Sequence, residues 1–124
     1  MIIHEELTAG IIGAAIDVHK YWGPGLYEEI YERSLCEELR NRAIVFERQV
    51  SIPLLYKSVQ VGDDLRLDLL VQKQVVVEIK AVSELLPVHE SQLLTYMRLT
   101  RCRIGLLLNF NVFAMKQGIR RFVT

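Results

Sequence analysis

Long apolar runs are missing from this 124-residue sequence. None approaches the roughly 18 to 20 residues that span a bilayer, so no membrane partner is expected. Cysteine is scarce: Cys36 and Cys102 have neither metal-ligand spacing nor a neighbouring partner. A disulfide scaffold and a cysteine-held zinc are therefore excluded, and the two read as buried thiols in a reducing cytoplasm. The N-terminus, Met1 to Glu6, is acidic where a secretory signal would be basic, again pointing to the cytoplasm. Net charge is absent too, with fifteen basic and fifteen acidic side chains, which is no footprint of a strong nucleic-acid binder. The balance is uneven, however. Residues 1–50 carry five basic and nine acidic groups, net −4, and residues 51–124 carry ten and six, net +4. A basic half with acids gathered at one place suits a weak or partner-assisted contact with a polyanion. Repeats, linkers and low-complexity segments are also missing, and the length fits one domain over residues 1–124.

What is present is organised around Leu65 to Ala81. Two short apolar runs flank a polar Gln72-Lys73-Gln74, as in a β-hairpin near the middle of a sheet. Three charges interrupt them: Asp68 in the first run, Glu78 and Lys80 in the second. Glu78 and Lys80, two apart on one strand, point to the same face. Charges in an apolar strand cost several kcal/mol each unless paired or bound to an ion. One offset is an ion pair, Asp68 with Arg66 or Lys80 with Glu28, or an edge strand open to water. The other is a hard divalent cation held by two carboxylates, with the lysine beside it. The second requires Asp68 and Glu78 on one face. A three-residue turn at Gln72–Gln74 sets them directly opposite, whereas a two-residue turn sends them to opposite faces.

Around this hairpin the spacing predicts a largely buried helix over about 5–21, with Leu7, Ile11, Ala14, Ala15 and Val18 on its inner stripe. Trp22-Gly23-Pro24-Gly25 ends it. A second helix over about 26–41 places Glu28, Tyr31, Leu35 and Leu39 on one face, and Glu29, Glu32, Arg33, Glu37 and Arg40 outside. Glu28 at the head of a buried stripe is unusual, since a helix dipole accounts better for an exposed acid in the first turn than for an inward one. Residues 44–56 form a strand that Pro53 confines to an edge or bend, and 57–64 read as turn. Pro87 precedes a helix over about 88–100, with His89, Gln92 and Tyr96 on one face. Ile104 to Asn109 is a short apolar strand, and 119–123 a last one after a Lys116-Gln117-Gly118 turn. The order gives an α/β (α+β) fold with a mixed central sheet flanked by helices, the 104–109 strand lying parallel to the Glu78 strand.

The ordered set of an acid on the second helix, Asp68, Glu78-Ile79-Lys80 and Gln92-x-x-x-Tyr96 resembles the PD-(D/E)XK nucleases. Within them, Gly25-Leu-Tyr-Glu28-Glu-Ile-Tyr31 looks like the Gly-x-x-Glu-x-x-Tyr signature of the GxxExxY group. Val18-His19, His89-Glu-Ser-Gln92 and Gly105 to Phe110 resemble that group as well, so the likeness covers nearly the whole chain. It implies a restriction-endonuclease-like core that hydrolyses phosphodiester bonds in nucleic acid, DNA ahead of RNA. On that likeness Asp68, Glu78 and the Ile79 carbonyl hold Mg²⁺ or Mn²⁺, and Lys80 assists the attacking water. Glu28 helps arrange the metal site, while Gln92 and Tyr96 position ligands or phosphate. His19 matches a recurrent histidine and reads equally as a hydrogen-bonded core residue. The chain carries no recognition module of its own, so a homodimer or a partner protein would supply targeting. The alternative is a non-catalytic nucleic-acid-binding or assembly module that keeps the same fold.

Overall fold

The computed structural model describes residues 4–124. Met1 to Ile3, part of the acidic N-terminal segment, lie outside them. The chain runs α1 (Glu5–Trp22), α2 (Glu28–Asn41), β1 (Phe46–Ile52), β2 (Leu55–Tyr56), β3 (Val59–Gln60), β4 (Leu65–Val71), β5 (Val75–Lys80), α3 (Pro87–Thr100), β6 (Ile104–Asn109) and β7 (Ile119–Val123). A 3₁₀ turn over Met115–Gly118 precedes β7. Five strands form one mixed sheet in the order β1-β4-β5-β6-β7, with β5 and β6 parallel and the other neighbours antiparallel. The short β2–β3 hairpin stands apart: β2 is the end of the segment expected to be one strand over 44–56, and β3 falls in the stretch expected to be turn.

Helices cover both faces of the sheet. Ile11, Ala14, Ala15 and Val18 of α1 and Tyr31, Leu35 and Leu39 of α2 pack on one face against Leu69, Val71, Val77, Ile79, Leu106 and Leu108. Leu93, Tyr96 and Met97 of α3 pack on the other against Leu67, Val76 and Leu107. Burying these side chains at roughly 1.5–3 kcal/mol each makes the three layers one cooperative body. The central strands β5 and β6 are buried almost end to end, as strands covered on both faces must be.

The α1–α2 corner shows how the Gly-rich segment works. Gly23 and Gly25 take positive φ values of 68° and 107°, which an L side chain rarely adopts. Fully buried Tyr31 then reaches back, donating its hydroxyl to the Gly23 carbonyl and accepting the Leu26 N–H. Its ring stacks on Phe110. The glycines and the tyrosine of the Gly-x-x-Glu-x-x-Tyr segment thus fix where α2 starts.

Alternation of side chains fails at one step. Phe46 of β1 packs with the α1/α2 core, whereas Val50 and Ile52, of the same parity, pack with the α3 core. On β4 the break recurs: Leu69 and Val71 face α1/α2, Leu65 and Leu67 face α3. A regular strand keeps residues two apart on one face. Both strands therefore turn over together between Arg48↔Leu69 and Val50↔Leu67, without a slip in register. Gln49 and Asp68 occupy that step.

Candidate active site

The hairpin between β4 and β5 closes through a three-residue turn. Val71 pairs with Val75, Leu70 with Val76 and Leu69 with Val77, and Gln72 and Lys73 adopt positive φ. The next step sets Asp68 opposite Glu78, and here side chains replace backbone pairing. The Asp68 N–H donates to Glu78 Oε1 at 2.9 Å, and the Ile79 N–H donates to Asp68 Oδ2 at 2.8 Å. The two strands part at this point with a carboxylate reaching into the gap from each side. N–H and C=O of one strand residue point to the same edge, so the Ile79 carbonyl faces that gap as well.

Glu78 is almost fully buried. Burial, then the charge of Asp68, push its carboxyl up to about 8, against partial relief from the Asp68 N–H and from Lys80. Two acids this close cannot both ionise cheaply at neutral pH. No ion pair among the described residues engages Asp68, Glu78 or Lys80, so the Asp68–Arg66 and Lys80–Glu28 pairs are not formed. Lys80 is half-buried and shares the parity of Glu78 and Val76, the α3 side of the sheet. Tyr96 stands on that side. Its phenol is pushed up by burial and then by Glu78, and its oxygen accepts the Gln92 amide at 2.9 Å. The phenol proton stays in place through neutral pH and is free to donate. His89 of the same helix face serves elsewhere: its Nδ1 accepts the Leu86 N–H at the start of α3.

Two expectations for α2 are corrected. Glu28, expected at the head of the buried stripe, is exposed at the first residue of the helix and takes part in none of the ion pairs among the described residues. Glu32, assigned by spacing to the outer face, is the buried acid. It accepts Arg48 Nε and, at 2.8 Å, the Gln49 amide; burial, joined by the charge of Asp68, raises its carboxyl against the lowering by Arg48 and Gln49. The same Gln49 nitrogen lies 3.4 Å from Asp68 Oδ1. The signal for Glu32 was in the sequence, since Glu32, Leu35, Cys36 and Leu39 follow the i, i+3, i+4, i+7 rule of a buried stripe. Gln49 carries no such signal.

Two other residues hold the frame. Buried Asn109, at the end of β6, donates to the Val82 carbonyl and accepts the Val82 N–H, pinning the segment that follows Lys80. His19 donates from Nε2 to the Val112 carbonyl at 2.7 Å and is a buried residue of α1.

Among the described residues no three His, Cys, Asp or Glu side chains gather at metal-binding distance. The donor set at the hairpin is two carboxylates and one backbone carbonyl, all hard oxygen. That suits a small divalent cation that keeps several waters, and a buried carboxyl raised to about 8 is the group such a charge would relieve.

The structure is thus a mixed sheet between helices, with an opposed acid pair and a lysine where two central strands part. The family model of the PD-(D/E)XK nuclease superfamily matches residues 5–122, and the chain belongs to that superfamily. No curated protein and no solved structure matches it.

Proposed function

We propose that this chain is a metal-dependent nuclease that hydrolyses phosphodiester bonds, in DNA ahead of RNA. Asp68, Glu78 and the Ile79 carbonyl are the residues that hold Mg²⁺ or Mn²⁺. The observation that carries the reading is the pair of reciprocal bonds setting Asp68 against a buried, acid-raised Glu78. When bound, the cation supplies charge stabilisation on the phosphoryl oxygens and a lower pKa for the attacking water. Lys80, on the Glu78 face, donates hydrogen bonds to that water or to the phosphate and offsets the charge that grows there. Tyr96, its oxygen already accepting from Gln92, donates its proton to a phosphate oxygen and orients the substrate. Glu28, exposed at the start of α2, is the helix acid that helps arrange the metal site beside Asp68 and Glu78. Recognition of a particular sequence falls to a second copy or a partner protein.

The neutral net charge favours a second reading, a module that keeps the fold and the ion to bind nucleic acid without cutting it. Cleavage of single- and double-stranded DNA and RNA with Mg²⁺ or Mn²⁺, run beside Lys80→Ala, separates the two. The nuclease reading expects metal-dependent cleavage by the wild type and a loss of about 100-fold or more in the variant. Metal binding without cleavage on every substrate supports the second reading.

A further inference from the structure

Gln49 has a backbone that nothing in its surroundings requires of a glutamine. It sits in the middle of β1 with φ 54°, a left-handed conformation that side-chain-bearing residues other than Asn and Asp seldom take. The ladder is in the same register on both sides of it and skips only the Gln49–Asp68 step. At that step its amide stands between two acids, 2.8 Å from Glu32 Oε1 and 3.4 Å from Asp68 Oδ1. One NH₂ group has two hydrogens, so it serves both acceptors at once. The other Asp68 oxygen is already held by the Ile79 N–H.

We propose that Gln49 is a positioning residue for Asp68, placed by the kink so that a neutral amide orients Oδ1 towards a divalent cation. The proposal rests on the reading of Asp68 as a metal ligand. The chemistry of the position explains the residue type. A lysine between Glu32 and Asp68 would pair with both and cancel the charge that attracts the cation. A glutamate would add a third repelling acid. An amide donates to each carboxylate and leaves the negative charge intact. Backbone strain gathered at one residue beside a candidate site is also where pre-organisation is found.

The kink alone could instead serve to turn β1 and β4 over, and the two roles respond differently to glycine. Gln49→Gly keeps the left-handed backbone and removes the amide. Mn²⁺ binding to the full chain, followed by loss of the free-ion signal in electron paramagnetic resonance, reads the effect without any turnover. Gln49→Gly is expected to melt near the wild-type temperature, relief of the left-handed backbone offsetting the lost bond to Glu32, yet bind Mn²⁺ roughly 10- to 100-fold more weakly. Gln49→Lys is expected to bind weaker still. Wild-type affinity in Gln49→Gly overturns the positioning role and leaves the metal site standing. No Mn²⁺ binding by the wild type removes the metal-ligand reading of Asp68 and this inference with it.

Discussion

Glu78 is the residue on which chemistry and stability pull in opposite directions. Its carboxyl is raised from 4.5 to about 8 in the fold. A raised acid favours folding most below its unfolded value and loses that contribution as pH climbs through the folded one. The metal-free protein should therefore lose stability between about pH 4.5 and 8. Glu78→Gln keeps an oxygen for the Asp68 N–H but has no charge to bury. Thermal melts without metal should show it more stable than the wild type by up to about 5 kcal/mol at pH 9, converging towards pH 4. The same variant should bind no Mg²⁺. For the wild type, a proton competes with the cation, so affinity measured by calorimetry should rise about tenfold per pH unit below about 8 and then level off. The acids of α2 separate in the same way. Glu32→Ala leaves Arg48 without its acceptor and Gln49 with Asp68 alone, and should cost about 1–2 kcal/mol in urea unfolding. Glu28→Ala, at an exposed helix start, should stay within about 0.5 kcal/mol.

At the scale of elements, the turn between β4 and β5 decides whether a site exists. Deleting Lys73 leaves a two-residue turn, and a one-residue slip sends opposed side chains to opposite faces. The variant should fold less stably and lose Mn²⁺ binding, with the metal assay as the check. A folded variant that binds Mn²⁺ as the wild type does would show that the register is not what pairs Asp68 with Glu78. This part of the structure was legible: polar Gln72–Gln74 between two apolar runs gave the hairpin, and the charges inside the runs gave the acid pair. The helices were legible from apolar spacing, and Pro53 rightly marked β1 as an edge strand. What periodicity could not convey was local departure from regularity. The strand reversal at Gln49 has no signature in residue type, because glutamine has no special preference for positive φ. The orientation of Glu28 depends on how Gly23 and Gly25 bend the corner, and a helical wheel assumes that the first turn is already packed. The β2–β3 hairpin was missed because two-residue strands carry too few positions to show alternation.

At the scale of the molecule, three layers close around a sheet whose central strands are buried on both sides, and the acid pair lies where β4 and β5 separate between α2 and α3. No helix among the described residues is long and apolar enough to cross a membrane. Because the fold sets a buried Glu78 against a half-buried Asp68 with no ion pair to either, a cation that binds only the native state should stabilise the whole body. Saturating Mg²⁺ at 100 times its dissociation constant should add about 2.7 kcal/mol. That gain should vanish in Asp68→Asn and Glu78→Gln, while α3 and α1 packing remain unchanged in circular dichroism.

The most direct test of the central claim is anomalous scattering from a crystal of the protein soaked in Mn²⁺. The account predicts a peak between Asp68, Glu78 and the Ile79 carbonyl, about 2.0–2.3 Å from the oxygens it contacts. A crystal with an ordered, solvent-accessible hairpin and no peak there, or a peak only at other acids of the surface, would contradict it.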